Sequence, residues 1–224
     1  MVSEPLSRRL LAEGFGSAML AAAVIGSGIA AERLTDDDAV ALIANTGATV
    51  AALAVLIALL RPLSGAHFNP AVSFVLTLCR RLSWRDCAAY TLVQVAGCCL
   101  GAVLAHAMFE LPLLQFSTHG RAGLGQWIAE VIATLGLLLV VLGHRRDEDV
   151  PWLVASWIGA AYWFTSSTSF ANPAITVARS LSDTFAGIRP AEAPAFICAQ
   201  FAGALLALLL SRVLFPIVVV TRTR

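Results

Sequence analysis

Asn-Pro-Ala occurs twice in this chain, at Asn69-Pro70-Ala71 and again about a hundred residues later at Asn172-Pro173-Ala174. An asparagine amide can donate and accept hydrogen bonds, but it breaks no covalent bond. The other polar groups that stand out are Glu13 and Glu130, each inside an apolar run. Acids in such runs are candidates for a proton relay or for buried structural work. No nucleophile–base pair accompanies them, so the chemistry on offer is hydrogen bonding to a solute, and no enzyme is expected. His106, His119 and His144 are scattered without common ligand spacing, and Cys79, Cys87, Cys98, Cys99 and Cys198 likewise. No metal and no cofactor is expected.

Composition says where this hydrogen bonding takes place. The 224 residues are 58% hydrophobic and only 13% charged, with mean hydropathy +0.81. A soluble domain carries roughly a quarter charged residues, so a polytopic membrane protein in a lipid bilayer is expected. The net charge of +1 gives no reason to expect a nucleic-acid partner. Apolar stretches of spanning length fall near 10–31, 39–60, 86–109, 124–143, 150–168 and 193–215. Two shorter pieces, 70–79 and 173–182, follow the Asn-Pro-Ala copies and fit half-helices.

Proline is at home in the first turn of a helix and asparagine at the N-cap. Each tripeptide therefore reads as the start of its half-helix. The preceding stretches, 61–68 and 166–171, are non-helical in pattern. Irregular backbone at membrane depth is tolerated only when buried in protein or lining a watery cavity. Gly65 and His67 then fall on the pore wall, while Phe68 and Phe170 fill space beside the half-helices.

The halves repeat. "AEGFGS" at 12–17 is answered by "AEVIAT" at 129–134, and "VQVAGCCLGA" at 93–102 by "AQFAGALLA" at 199–207. Each half, about 8–110 and 124–215, contains three spans and a half-helix. An odd number of spans makes the second half enter from the opposite face, giving an inverted repeat. The half-helix N-termini then meet near the midplane, each with a partial positive charge on the order of +0.5. Such a centre opposes cations and leaves small neutral solutes free to pass. Equivalent placement of Glu13 and Glu130 favours support of the re-entrant loops by their carboxylates. Gly97, Gly101 and Gly203 suit close helix contacts. With both termini cytoplasmic, eleven arginines, Arg222 and Arg224 among them, lie inside against four outside, which are Arg33, Arg121, Arg179 and Arg189.

The doubled motif, "SGAHFNPAV" at 64–72, the two "AE" starts and the Gln-Gly spans resemble the aquaporin/aquaglyceroporin family over essentially the whole chain. The resemblance implies an all-α membrane fold of six spans and two re-entrant half-helices, a pore in each protomer, a homotetramer and a place in the inner or plasma membrane. It also implies a constriction at four positions, here Thr49, Ala160, Ser169 and Ile175. Family members usually carry Arg directly after the second Asn-Pro-Ala, where this chain has Ile175. The expected constriction is thus wide and uncharged. Arg179, four residues on, could fold back into the mouth, snorkel outward or pair with Asp183; the last two are favoured. The stretch "NPAITVARSLSDTFAGI" resembles bacterial members that accompany arsenic-resistance genes. A passive channel for polyols, water and neutral arsenite or antimonite hydroxides follows. A proton-coupled transporter using Glu13 or Glu130, a water-selective channel and a closed junction protein are the alternatives.

Overall fold

The computed structural model describes residues 4–215; Arg222 and Arg224 lie outside the described residues. Its ordered elements there are helices: α1 Leu6–Leu34, α2 Asp38–Ser64, α3 Pro70–Leu78, α4 Trp84–Met108, α5 Leu124–Gly143, α6 Val150–Phe164, α7 Pro173–Arg179 and α8 Ala193–Leu214, with a short 3-10 turn at Asp147–Asp149 before α6. Helices satisfy their own backbone bonds, which is what a lipid environment demands.

Five of them, α1, α2, α4, α5 and α8, are long and apolar enough to cross a membrane. The expected span at 150–168 is shorter. Helix α6 has 15 residues, which reaches about 22 Å against a hydrocarbon core of about 30 Å. It stops at Phe164 because Thr165 turns to extended backbone and caps the helix by donating its hydroxyl to Ala161 O at 2.6 Å. The 3-10 turn supplements it at the other end.

Glycines set the tightest packing. A Cβ on Gly97 of α4 would stand 2.3 Å from Gly14 O of α1, and one on Gly203 of α8 would stand 2.3 Å from Val131 O of α5. Gly101 repeats the device against Ala18 O at 2.2 Å. Helix pair α1–α4 in the first half thus matches α5–α8 in the second at Gly97 and Gly203, while Ala207 stands where Gly101 would repeat. Helices α2 and α6 join the halves. Both half-helices sit inside this bundle, where Ala71, Val75, Ala174 and Ala178 are fully buried.

Candidate functional site

Each half-helix is started by its asparagine. Asn69 Oδ1 accepts from Ala71 N at 2.9 Å, and Asn172 Oδ1 accepts from Ala174 N at 3.0 Å. Pro70 and Pro173 occupy the first helical position, where no N–H is needed. One amide proton of each asparagine crosses to the other half: Asn69 Nδ2 donates to Ala171 O at 2.7 Å, and Asn172 Nδ2 to Phe68 O at 2.8 Å. These reciprocal bonds lock the two N-termini against each other and leave one N–H of each amide unused. Both asparagines line a cavity of about 210 Å³ that runs through the bundle.

The loops leading to the asparagines are strained in the same places. Four residues ahead of each asparagine stand Gly65 at φ +93° and Thr168 at +59°; three ahead, Ala66 at +50° and Ser169 at +52°; one ahead, Phe68 at +48° and Ala171 at +47°. Non-glycine residues in this region cost about 1–2 kcal/mol each. The carboxylates repay it. Glu13 accepts from His67 N (2.9 Å), Phe68 N (2.7 Å), Ser64 Oγ (2.6 Å) and Gln94 Nε2 (2.8 Å). Glu130 accepts from Phe170 N (2.9 Å), Ala171 N (2.9 Å), Ser167 Oγ (2.6 Å) and Gln200 Nε2 (2.6 Å). Both acids are fully buried and neither lines the cavity.

With the loop N–H groups held from behind, the acceptors remain. The carbonyls of Gly65, Ala66, His67, Ser169 and Phe170 take no hydrogen bond among the described residues, although all five residues line the cavity. Ala66, Ser169 and Phe170 are buried; buried carbonyls need partners, and a solute in the cavity can supply them. The facing wall is apolar, with Leu20, Val24, Leu53, Ile57, Val154 and Ile158. His67 sits on the lining with its Nδ1 3.0 Å from Ser73 Oγ and its ring edge-on to Tyr90.

At the Arg179 end of the cavity the structure departs from the expected constriction in two places. Thr49, Ser169 and Ile175 line the cavity, but Ala160 does not; it is exposed on the outward face of α6. Val154, Ile158 and Tyr162, spaced by one helical turn, face inward instead. Ala160 lies two residues from both Ile158 and Tyr162, about 200° round the helix from each. Tyr162 takes the place, its hydroxyl 3.3 Å from Thr49 Oγ1. The spacing 154, 158, 162 is the sequence signal for this inward face.

Arg179 is the second departure. It neither snorkels outward nor pairs with Asp183. It is 2% exposed, lines the cavity and stacks on the Phe170 ring with its guanidinium carbon 3.4 Å from the centroid. Its Nε donates to Ala186 O, and its two terminal nitrogens bond no group among the described residues. Asp183 instead accepts from Thr118 N at 2.7 Å and Thr118 Oγ1 at 2.9 Å. Those two bonds, the backbone one first, hold its carboxyl below the usual carboxylate range. This end therefore carries a guanidinium beside Tyr162 and Phe170 and is not an uncharged opening. Ser169 Oγ there is buried without a partner.

The opposite mouth is lined by Arg61, Arg81 and His144. Arg61 reaches across to the turn before α6, donating to Asp147 O at 2.8 Å and Asp147 Oδ1 at 2.6 Å.

A cavity lined from Arg61 and His144 at one end to Arg179 at the other, two opposed half-helices capped by asparagine and a carboxylate bracket behind each loop define a membrane channel with re-entrant pore loops. The comparisons with known proteins agree, and the chain belongs to the major intrinsic protein family, whose profile matches residues 1–166. It is 56% identical over 209 residues to "Aquaglyceroporin AqpS" of Rhizobium meliloti (strain 1021), covering 92% of this chain and 90% of that one. It is 30% identical over 172 residues to "Probable aquaporin PIP2-8" of Oryza sativa subsp. japonica, covering 70% and 60%. Among solved structures, the aquaglyceroporin from Plasmodium falciparum superposes with TM-score 0.69 at 18% identity, over 95% of this chain and 98% of that one. That likeness is one of fold.

Proposed function

We propose that the chain conducts glycerol-like polyols and water passively, together with arsenite and antimonite as neutral hydroxides. It is a channel and not an enzyme. The carrying observation is that residues with unpartnered carbonyls line the same cavity as a run of apolar side chains, since a polyol or M(OH)3 species presents hydroxyls to one side and little polarity to the other. Two helix N-termini at mid-depth and the Arg179 guanidinium give the path a positive potential that opposes cations. Thr49, Tyr162, Ser169, Ile175 and Arg179 form the constriction in this reading, and Gly65 and His67 the wall on the other side of the asparagines. Glu13 and Glu130 hold the loops; with four bonds each and no contact with the cavity they offer a coupled transporter no proton path. The family resemblance supports a homotetramer with one pore per protomer. The arginine distribution supports an inner-membrane orientation with both termini cytoplasmic. Stopped-flow swelling of proteoliposomes with a panel of neutral solutes tests the reading. Glycerol and water flux without accompanying proton movement is expected; flux that requires a proton gradient would overturn it.

A further inference from the structure

A second pocket, of about 490 Å³, opens beside the pore mouth between the end of α3 and the start of α4. Arg9, Arg80, Arg81, Ser83, Trp84 and Asp86 line it. Arg9 is paired with Asp86 at 2.8 Å. Arg80 and Arg81 are exposed and make no ion pair among the described residues. Their backbone is fixed: Arg80, at φ +58°, and Arg81 close the end of α3 by donating to Thr77 O at 2.9 Å and Leu76 O at 2.8 Å. The backbone of two arginines is therefore fixed at the pocket with no carboxylate paired to either among the described residues, since the Asp86 carboxylate is taken by Arg9.

Its surroundings identify the depth. Trp84 is 60% exposed at the first residue of α4, the position of an interfacial aromatic residue. Beneath it an aromatic ladder continues inward, Trp84 against Phe74 at 6.0 Å and Phe74 against Phe201 at 5.4 Å. Arginines at headgroup level above a partly exposed apolar ladder suit a molecule with an anionic head and a hydrocarbon tail. Among the described residues, Arg81 alone lines both this pocket and the central cavity.

We propose that this pocket binds the phosphate of an anionic phospholipid headgroup, and that its occupancy draws Arg81 away from the pore mouth and so raises conduction. The proposal rests on the channel reading for its second half, and binding is measured separately from flux so that the two can fail separately. The probe is full-length protein in phosphatidylcholine vesicles with or without a minor fraction of phosphatidylglycerol, the bromines being placed on the chains of one lipid at a time. Trp84 fluorescence, isolated by difference from Trp84→Phe, should be quenched more by the anionic lipid. Affinity should fall about fivefold for each arginine removed in Arg80→Ala and Arg81→Ala and weaken with salt. Arg80→Lys with Arg81→Lys should keep the preference, which separates lost charge from lost folding. Equal quenching by the two lipids would overturn the site, and displacement of the anionic lipid by millimolar inorganic phosphate would reassign it to free phosphate. Glycerol flux per channel should be higher in the anionic vesicles, with Arg81→Ala erasing the difference. Equal flux of the unaltered protein in both vesicles would overturn the coupling.

Discussion

Arg179 stands one helical turn beyond Ile175 on the inward face of α7, and its position changes what the missing arginine means. The guanidinium is held by the Ala186 carbonyl and by the Phe170 ring, so only its terminal nitrogens can serve a solute. A fixed, planar donor group of this kind favours oxygen acceptors over cations. Removing it should matter by about one charge-assisted hydrogen bond, about 1.5 kcal/mol. Arg179→Ala is therefore expected to change the glycerol-to-water permeability ratio by about tenfold, read by light scattering at matched protein density. An unchanged ratio would place the constriction elsewhere. Ala160→His supplies the contrast. Because Ala160 faces outward from α6, that substitution should leave the ratio unaltered, whereas Tyr162→Ala should shift it.

Elements are held by contacts that allow little substitution. Gly97→Ala would drive a methyl group to 2.3 Å from a backbone oxygen of α1. A carbonyl inside a helix cannot swing aside as a flexible side chain can, so α1 and α4 must separate. A loss of about 1–3 kcal/mol is expected, visible as a lower unfolding temperature in detergent; Gly47→Ala, which meets nothing within 4 Å, should show none. The re-entrant loops depend on Glu13 and Glu130 in a different way. Glu13→Gln keeps the size but swaps an acceptor oxygen for an NH2 among four donors. About 2–4 kcal/mol should be lost, with flux falling in step with folded protein. Retention of fold together with loss of a proton-dependent flux would instead restore the transporter reading.

At the scale of the whole molecule, the sequence carried the architecture because the repeat doubles every strong signal. Asn69 and Asn172, Glu13 and Glu130, and Gly97 and Gly203 occur in matched order, so each half checks the other. The departures fall where the repeat gives no help. The motifs do not tell which face of α6 turns inward, so they do not single out Tyr162, and the choice among the three fates open to Arg179 rests on its packing against Phe170 and the Ala186 carbonyl, which spacing alone does not fix. The mouth formed by Arg61, His144 and Asp147 was also out of reach, since it joins α2 to the turn before α6 across the two halves. That contact yields a pH prediction. The bonds from Arg61, and next from His144, hold the Asp147 carboxyl below the usual carboxylate range. A depressed pKa means the contact contributes stability above the ordinary carboxylate value, about 3.9, and loses it as pH falls through the lowered one. Between pH 5 and 8 the carboxylate's charge should therefore not change, and its hold on the turn should release only in stronger acid. Asp147→Asn should mimic the acid state at neutral pH by weakening the bond to Arg61. Hydrogen exchange of residues 144–150, corrected for intrinsic rate, is expected to be slow at pH 6 and faster both at pH 3 and in Asp147→Asn. Equal protection in all three would show that the 3-10 turn is held by its own backbone and that Arg61 does not tie the two halves together.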